Sequence, residues 1–452
     1  MAQSKDTAKK KFKMSNVQRL MLGFAVIILT GALLLCLPAA SRDGRSTPFI
    51  NSLFTATSAT CVTGLITYDT YVHWTRFGQI VILLLIQTGG LGFMSFAAAA
   101  AMIAGKKIGL AQREMMQESV NGEQVGGIVK LFVMVLKGTF LCEGIGAALL
   151  SVRFIPEYGV GEGIFFSVFH SVSAFCNAGF DLMGSRAEGS SLMLFRSDVY
   201  FNIVIMLLIV TGGLGFYVWK DVIENRHHIH KYRLHSKLVL TTTAILIFVP
   251  AVLFFVFERE HAFADCTPGE SVLAAFFQSV TLRTAGFCTS DQSLLSDPSA
   301  LLSSVMMLTG GSPGSTAGGI KTTTVAVLVL SVVSMIANQK SITVFNRRLD
   351  EDLTRRVLAI IFIYIFFALG SVMLICAIDG TPLRETTFEV FSAAGTAGLT
   401  MGLTPTLSAA ARCILIFLMY FGRIGGLSMA MFFAKPYEAT SVSAPLEKIQ
   451  VG

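Results

Sequence analysis

Four stretches of this sequence carry a phenylalanine and a glycine ten residues apart: Phe54 to Gly64 (FTATSATCVTG), Phe169 to Gly179 (FHSVSAFCNAG), Phe276 to Gly286 (FFQSVTLRTAG) and Phe388 to Gly398 (FEVFSAAGTAG). A bulky apolar residue follows each glycine: Leu65, Phe180, Phe287 and Leu399. Six positions before the glycine stand Ser58, Ser173, Val280 and Ser392. These residue types are poor acids, bases and nucleophiles. What they offer is backbone. Glycine admits the dihedrals that turn successive carbonyls toward one axis. Four such strands around that axis would make a ring of oxygens able to replace a cation's hydration shell. The candidate filter residues are therefore Cys61, Val62, Thr63 and Gly64; Cys176, Asn177, Ala178 and Gly179; Arg283, Thr284, Ala285 and Gly286; and Gly395, Thr396, Ala397 and Gly398. A filter of carbonyls needs no fixed cation in its path. Arg283 is expected to point away and brace its strand through an acid or a carbonyl.

A second constellation interrupts a long apolar run: Gly310, Gly311, Ser312, Pro313, Gly314, Ser315, Thr316, Ala317, Gly318 and Gly319. Five glycines and a proline cannot sustain a helix. Non-helical backbone at membrane depth is tolerated only where it is buried in protein or lines a cavity. The segment reads as a movable gate below the filter, with Lys321 beside it. Arg423 is the one arginine deep in the last apolar run, and an intramembrane charge is a functional candidate by default. It either faces the conduction path as an electrostatic barrier or braces nearby backbone. The patches Gly89-Gly90-Leu91-Gly92 and Gly212-Gly213-Leu214-Gly215 read as sites of close helix packing.

The remaining chemistry is sparse. The eight cysteines are scattered without a CxxC pair, and only Cys266 and Cys288 fall in one non-cytosolic segment, where a disulfide is open. His227, His228 and His230 sit in a basic loop without cysteine and read as solvated. No H-E-x-x-H, G-x-G-x-x-G or paired intramembrane carboxylate appears, so neither an enzyme nor a nucleotide site is expected in this chain.

The elements that would hold these strands are long and apolar. Hydrophobic residues make up 53 % of the chain and charged ones 14 %, with a mean hydropathy of +0.67. A soluble domain usually carries about 25 % charged residues, so soluble, disordered and small disulfide-bonded classes are excluded. Eight long apolar runs lie at 17–37, 76–104, 124–152, 198–219, 237–257, 299–338, 355–377 and 408–434. Four shorter ones, 49–60, 164–175, 271–282 and 384–394, are too short to span and read as re-entrant. The expected fold is an all-α membrane protein. It has four span–pore-loop–span repeats, with eight transmembrane helices and four re-entrant pore helices around one pseudo-fourfold pore. The repeats cover 17–104, 124–222, 235–338 (with a broken inner helix) and 354–434, between tails 1–16 and 435–452.

Lys and Arg crowd the N-terminus and the loops 105–123, 220–237 and 338–356, and place both termini in the cytosol. The net charge of +7 thus reads as topology rather than nucleic-acid binding. Acids such as Asp69, Asp181, Asp291 and Glu389 collect on the opposite face, whose field favours cations. The lysine-rich start shows no cleavable signal pattern. Two related halves would suit a secondary transporter of organic solutes, whereas this chain shows four related quarters.

The segments SATCVTGL (58–65), SAFCNAGFD (173–181), TLRTAGFCTSD (281–291), SAAGTAGLTMGLTP (392–405), GGSPGSTAGGIKTTT (310–324) and YFGRIGGLSM (420–429), in this order, carry a resemblance. Over residues 16–436 the chain resembles the membrane subunit of the Trk/Ktr/plant high-affinity potassium transporter superfamily, in its bacterial Ktr-type form. That resemblance implies potassium uptake across the plasma (inner) membrane through a single-chain pseudo-tetrameric pore. It implies a homodimer in membrane lipid on a cytosolic ring of nucleotide-binding regulatory subunits. It implies no cofactor in this chain, with potassium as the transported ligand. It also supports a gate at Gly310–Gly319 and a pore role for Arg423. In plant members a serine at the first filter glycine accompanies sodium permeation; here all four positions are glycine. The strands depart from the TVGYG signature of potassium channels, which implies weaker selectivity. The alternative within the superfamily is a sodium-permeating or sodium- or proton-coupled transporter.

Overall fold

The computed structural model describes residues 15–92, 94, 109–119, 127–339, 341–350, 352–426 and 429. Most of the tail read over 1–16, the tail 435–452 and the far ends of the first and fourth repeats lie outside these residues, as do Lys106 and Lys107. Thirteen helices matter for the site, labelled in chain order: α1 Asn16–Cys36, α2 Phe49–Thr60, α3 Arg76–Leu91, α4 Ile128–Phe175, α5 Val199–Gly213, α6 Phe216–Asn225, α7 Leu234–Phe257, α8 Pro268–Thr281, α9 Asp297–Leu308, α10 Thr322–Ile336, α11 Asp352–Asp379, α12 Leu383–Gly395 and α13 Ala409–Ile424. Helix α4 breaks at Gly159 (φ 79°, ψ 170°), three residues after Pro156, so its last part is a short helix of its own. Among the described residues one small sheet pairs Thr343–Val344 with Arg347–Arg348 across a turn in which Phe345 and Asn346 both take positive φ, the backbone of a two-residue hairpin.

Local sequence explains where these helices start. Ser15 and Gln18 close a capping box on α1, and Thr267 and Glu270 close one on α8 with Pro268 at its first turn. Thr75, Asp198 and Ser408 cap α3, α5 and α13 by accepting from Gly78, Phe201 and Ala411 amides.

Among the described residues three helices, α1, α7 and α11, are long and apolar enough to cross a membrane, and α5 with α6 makes a fourth if the bent pair counts as one. In each of the three, 28 % of the most apolar window is buried. The rest shows outward: Leu33 is 62 % exposed, Val256 63 % and Phe366 63 %. Contiguous apolar surface on this scale suits hydrocarbon, not water.

Several apolar runs are not straight helices. The run 198–219, expected as one span, bends by 97° between α5 and α6. The run 299–338 divides into α9 and α10 around residues 309–321. The physical reason lies in recurrent glycines. Gly92 (φ 78°, ψ 135°), Gly215 (φ 90°, ψ 142°) and Gly425 (φ 95°, ψ 132°) share one non-helical conformation at corresponding places in the first, second and fourth repeats. A side chain there would be strained. The patches read as packing sites thus also break the helices, and the third repeat replaces the break with its glycine-rich loop.

The packing closes a ring. Helix α3 packs on α4, α5 on α8, α9 on α12, and α13 returns to α2. Each helix that follows a glycine strand therefore leans on the next repeat. Within repeats, α1 packs on α2, α7 on α8 and α11 on α12.

Candidate functional site

The four short helices end in related ways. Thr63, Ala178 and Ala397 donate their amides to Ser58, Ser173 and Ser392 carbonyls at 2.8, 2.8 and 2.7 Å. Val62, Asn177 and Thr396, one residue earlier, donate to Ala59, Ala174 and Ala393. This pair of bonds is the Schellman arrangement, which needs a left-handed residue between helix and strand. Val62 (φ 57°), Asn177 (φ 58°) and Thr396 (φ 55°) supply it without being glycine. The third repeat has Thr284 at φ 66°, with Ala285 donating to Thr281. A non-glycine residue there costs roughly 1–2 kcal/mol, so the surrounding structure enforces it. Positive φ recurs two residues on, at Gly64 (100°), Gly179 (71°), Gly286 (80°) and Gly398 (83°). Alternating handedness along a strand turns successive carbonyls to one side.

The strands meet. A Cβ placed on Gly64 would lie 2.7 Å from the Ala178 carbonyl oxygen, 3.2 Å from Gly179 Cα and 3.3 Å from Gly398 Cα. One on Gly179 would lie 2.7 Å from Gly286 Cα and 2.9 Å from the Ala285 oxygen. One on Gly286 would approach the Ala397 oxygen at 3.2 Å and the Thr63 oxygen at 3.4 Å, and one on Gly398 would overlap the Thr63 oxygen. The four glycines are mutual neighbours, and the carbonyls of the four preceding residues crowd among them. Cys61, Cys176 and Gly395, further back in their strands, are buried.

Hydroxyls support the strands unequally. Ser58 Oγ accepts from the Gly64 amide at 3.0 Å, whereas Ser173 Oγ donates to the Phe180 oxygen at 2.7 Å. Val280 breaks this pattern in the third repeat, and Thr281, one residue later, donates to Phe287 at 2.5 Å instead. Arg283 is buried, and its guanidinium donates to the Thr243 hydroxyl of α7 at 3.4 Å. It does brace its strand against another helix, but through a hydroxyl and not the expected acid or carbonyl. Asn177 Nδ2, with its amide turned over, donates to Ala174 and Ile209 oxygens.

The segment 310–319 lies against the ring. Thr309 pairs with Ile320 as a parallel bridge that closes its base, with Gly310 donating to Ile320 at 2.8 Å. Ser312 and Thr316 amides donate to Gly213 and Gly212 oxygens at 3.0 and 3.3 Å, and Gly319 to the Gly422 oxygen at 3.2 Å. The Gly314 oxygen accepts from Phe216, and Pro313 and Gly314 face Gly215. Gly311 approaches Ala317 and Ser315, and Gly318 packs on Thr396. Thr316 Oγ1 donates to the Phe175 oxygen at the end of α4, 3.1 Å away. Lys321 Nζ turns back onto the loop, donating to Ala317 and Gly318 oxygens at 2.8 and 3.4 Å. Arg423 donates to the Thr316 oxygen on one side and to the Gly89 and Gly90 oxygens on the other. It thereby ties the loop to α3. In the fourth repeat it occupies the place that Gly90 and Gly213 hold in the first and second.

Beyond the strands, polar side chains on the short helices hold the exits. The Leu182 amide lies 3.3 Å from His170 Nε2, Gln278 and Gln292 exchange bonds at 2.7 and 3.1 Å, and Glu389 accepts from Thr400, Leu403 and Thr404. Sequence reading missed His170 and Gln278 and named Glu389 only among the acids of the outward face; a polar residue on an apolar short helix was the available signal. Cys266 and Cys288 remain separate thiols. No group of three His, Cys, Asp or Glu is placed to hold a metal among the described residues.

Asp181 lies just past the second strand, its Oδ1 accepting from the Met183 amide at 2.9 Å. Burial first, and then the charge of Asp69, push its carboxyl up to about 7, and the Met183 bond partly opposes them. The folded chain therefore holds a proton that the unfolded chain has already released. The stability from that proton is present below about pH 4 and is lost as pH rises through about 7. Asp181→Asn should flatten the decline, read as thermal midpoints in detergent between pH 4 and 8. A slope unchanged by the substitution would assign it to another group.

The sequence profile described as "cation transport protein" (TrkH) matches residues 3–443. The potassium/sodium uptake protein NtpJ of Enterococcus hirae is 41 % identical over 449 residues, covering 97 % of this chain and 98 % of that one. The Ktr system potassium uptake protein B of Bacillus subtilis is 38 % identical over 460 residues, covering 100 % of both chains. The crystal structure of the potassium transporter TrkH from Vibrio parahaemolyticus shares the fold. Its TM-score is 0.73 over 94 % of this chain and 86 % of that one, at 16 % identity. The chain belongs to the TrkH family of cation transport proteins, which are membrane ion transporters and not enzymes.

Proposed function

We propose that this chain is the membrane subunit of a potassium uptake system, with the ring of four glycine strands as its selectivity filter. The observation that carries the reading is the convergence of Gly64, Gly179, Gly286 and Gly398 with the four preceding carbonyls among them. Unpaired carbonyls at membrane depth are costly unless something polar meets them, and a dehydrated cation is the partner such a ring suits. The hydroxyls of Thr60, Thr63, Thr284 and Thr396 are buried without a partner among the described residues. They add to the demand for water or a cation.

In this reading the chain makes eight spans with four re-entrant helices and keeps both termini in the cytosol of a plasma-membrane homodimer. Residues 310–319 form the gate, and a separate cytosolic nucleotide-binding subunit biases it. Potassium is the transported ligand and the chain needs no cofactor. The names of the Enterococcus and Bacillus relatives support potassium uptake, and the former also favours a second reading in which sodium permeates or is coupled. A cation that binds the folded chain raises its stability by mass action. The protein in detergent should melt several degrees higher in potassium than in equal sodium or choline. Equal midpoints in all three would contradict a potassium filter.

Arg423 belongs to the gate in this account. Its bonds to loop and helix carbonyls are charge-assisted, worth on the order of 1.5–3 kcal/mol each. Arg423→Ala should untie the loop and remove a positive charge from the path, raising flux severalfold. Flux, expression and thermal midpoint are measured together. Lower flux with a lower midpoint would instead make Arg423 a brace on which the filter depends.

A further inference from the structure

The ring of repeats has one junction that no loop of the chain spans: repeat four meets repeat one by noncovalent contact alone. Apolar side chains supply much of it, with Phe54 and Leu65 of repeat one in the same buried cluster as Leu415 and Leu418 of α13. A polar bridge crosses the same junction where the strands exit. Arg412, in the first turn of α13, donates through Nη1 to Asn51 Oδ1 at 2.6 Å and through Nη2 to the Pro405 oxygen at 2.8 Å. Asn51 lies in the first turn of α2 and is 5 % exposed. Its Nδ2 donates onward to the Tyr68 hydroxyl at 2.8 Å. Tyr68 in turn stacks on His73, with ring centroids 4.1 Å apart. Pro405 stands seven residues beyond Gly398, and Tyr68 four beyond Gly64. One guanidinium and one amide thus join the exit of the fourth strand to the short helix and the exit of the first.

Hydrophobic contact holds helices together without fixing direction. Hydrogen bonds from a planar, permanently charged guanidinium fix both distance and angle. This junction needs that precision. A Cβ on Gly398 would overlap the Thr63 oxygen, the tightest approach of the four around the ring. A small slip of the fourth strand against the first therefore moves a filter carbonyl. We infer that Arg412 is a positioning residue: through Asn51 and Tyr68 it holds the fourth strand beside the first and so sets the place of the Thr63 carbonyl, on which cation discrimination depends. The inference rests on the filter reading. It assigns selectivity, and not stability alone, to a side chain outside the glycine strands.

The test is uptake of labelled potassium, with sodium as competitor, by the full chain in cells lacking their own potassium uptake, beside thermal midpoints in detergent. Arg412→Met keeps the stem of the side chain and removes the fork. Discrimination of potassium over sodium should fall roughly fivefold, with a midpoint near wild type because the apolar cluster remains. Asn51→Leu should lower it by a similar factor, and the double variant no further than either alone, since both break one bridge. Tyr420→Phe is the control. It removes the 2.7 Å bond from the Tyr420 hydroxyl to the Met21 oxygen, which crosses the same junction about two turns further along α13, and it should leave discrimination as it is. Unchanged discrimination in a folded Arg412→Met protein would overturn the inference. So would an equal fall in Tyr420→Phe, which would make any loosening of the junction sufficient, and so would losses that multiply in the double variant. Should Arg412→Met not fold, Asn51→Leu decides: a loss of about fivefold supports the bridge, and wild-type discrimination overturns it. Gly398→Ser runs beside them. If it alters discrimination while Arg412→Met does not, only the role of Arg412 fails. If neither does, the filter reading itself fails.

Discussion

Gly398→Ser should abolish discrimination between potassium and sodium, and it is the most damaging of the four filter substitutions expected here. The position holds φ 83°, and a Cβ would overlap the Thr63 carbonyl oxygen and stand 3.0 Å from Gly64 Cα. Both neighbours are backbone of the first strand and cannot swing aside as a side chain would. The strained dihedral costs about 1–3 kcal/mol, and forcing the strands apart adds about as much again. Either outcome of that conflict moves the Thr63 oxygen, and with it the field an ion meets. Gly64→Ser meets the Ala178 oxygen at 2.7 Å and should weaken selectivity in the same direction. The readout is the ratio of potassium to sodium uptake in protein of confirmed fold, with a drop of tenfold or more expected at Gly398. Unchanged affinity and selectivity at all four glycines would remove the filter assignment.

The second large effect concerns the loop. Deleting Ser312 to Ala317 should give high flux that no longer depends on a cytosolic subunit. The loop is attached at its tip more than at its base. Thr316 alone makes three links: its amide to Gly212, its hydroxyl to Phe175 and its carbonyl to Arg423. The deletion removes all three and the Ser312 link to Gly213, while the Thr309–Ile320 bridge remains to close the shortened turn. Gly310 already lies against Gly318, so the chain ends can rejoin without moving α9 or α10 far. A regulator shifting this gate from mostly closed to mostly open supplies about 5 kcal/mol, comparable to the loop's few charge-assisted and neutral bonds together. Flux is measured with and without the partner. Low, partner-dependent flux in a folded deletion protein would place the gate elsewhere.

Much of this architecture was legible in the residues because it repeats. One phenylalanine-to-glycine spacing, used four times, marks four short helices and their strands, and the structure ends all four within one residue of the apolar stretches, while the second and third begin three or four residues earlier than expected. The break at residues 310–319 was equally plain, since no helix survives that composition. Other features depended on distance through the fold. The breaks at Gly92, Gly215 and Gly425 hide in patches that also suit close packing, and only their φ values distinguish the two uses. Arg283 was expected to find an acid or a carbonyl, but its partner comes from α7, where Thr243 is the polar group presented. Arg412 drew no notice because Asn51 is far from it along the chain and meets it only when α13 returns to α2.

The central claim is that four glycine strands on one axis select potassium. Uptake of labelled potassium, with sodium as competitor, in cells that lack their own potassium uptake tests it most directly. The account predicts potassium accumulation that excess sodium does not block in the wild-type chain, and that sodium does block in the Gly398→Ser chain. Sodium entering as readily as potassium through the wild-type chain would contradict it.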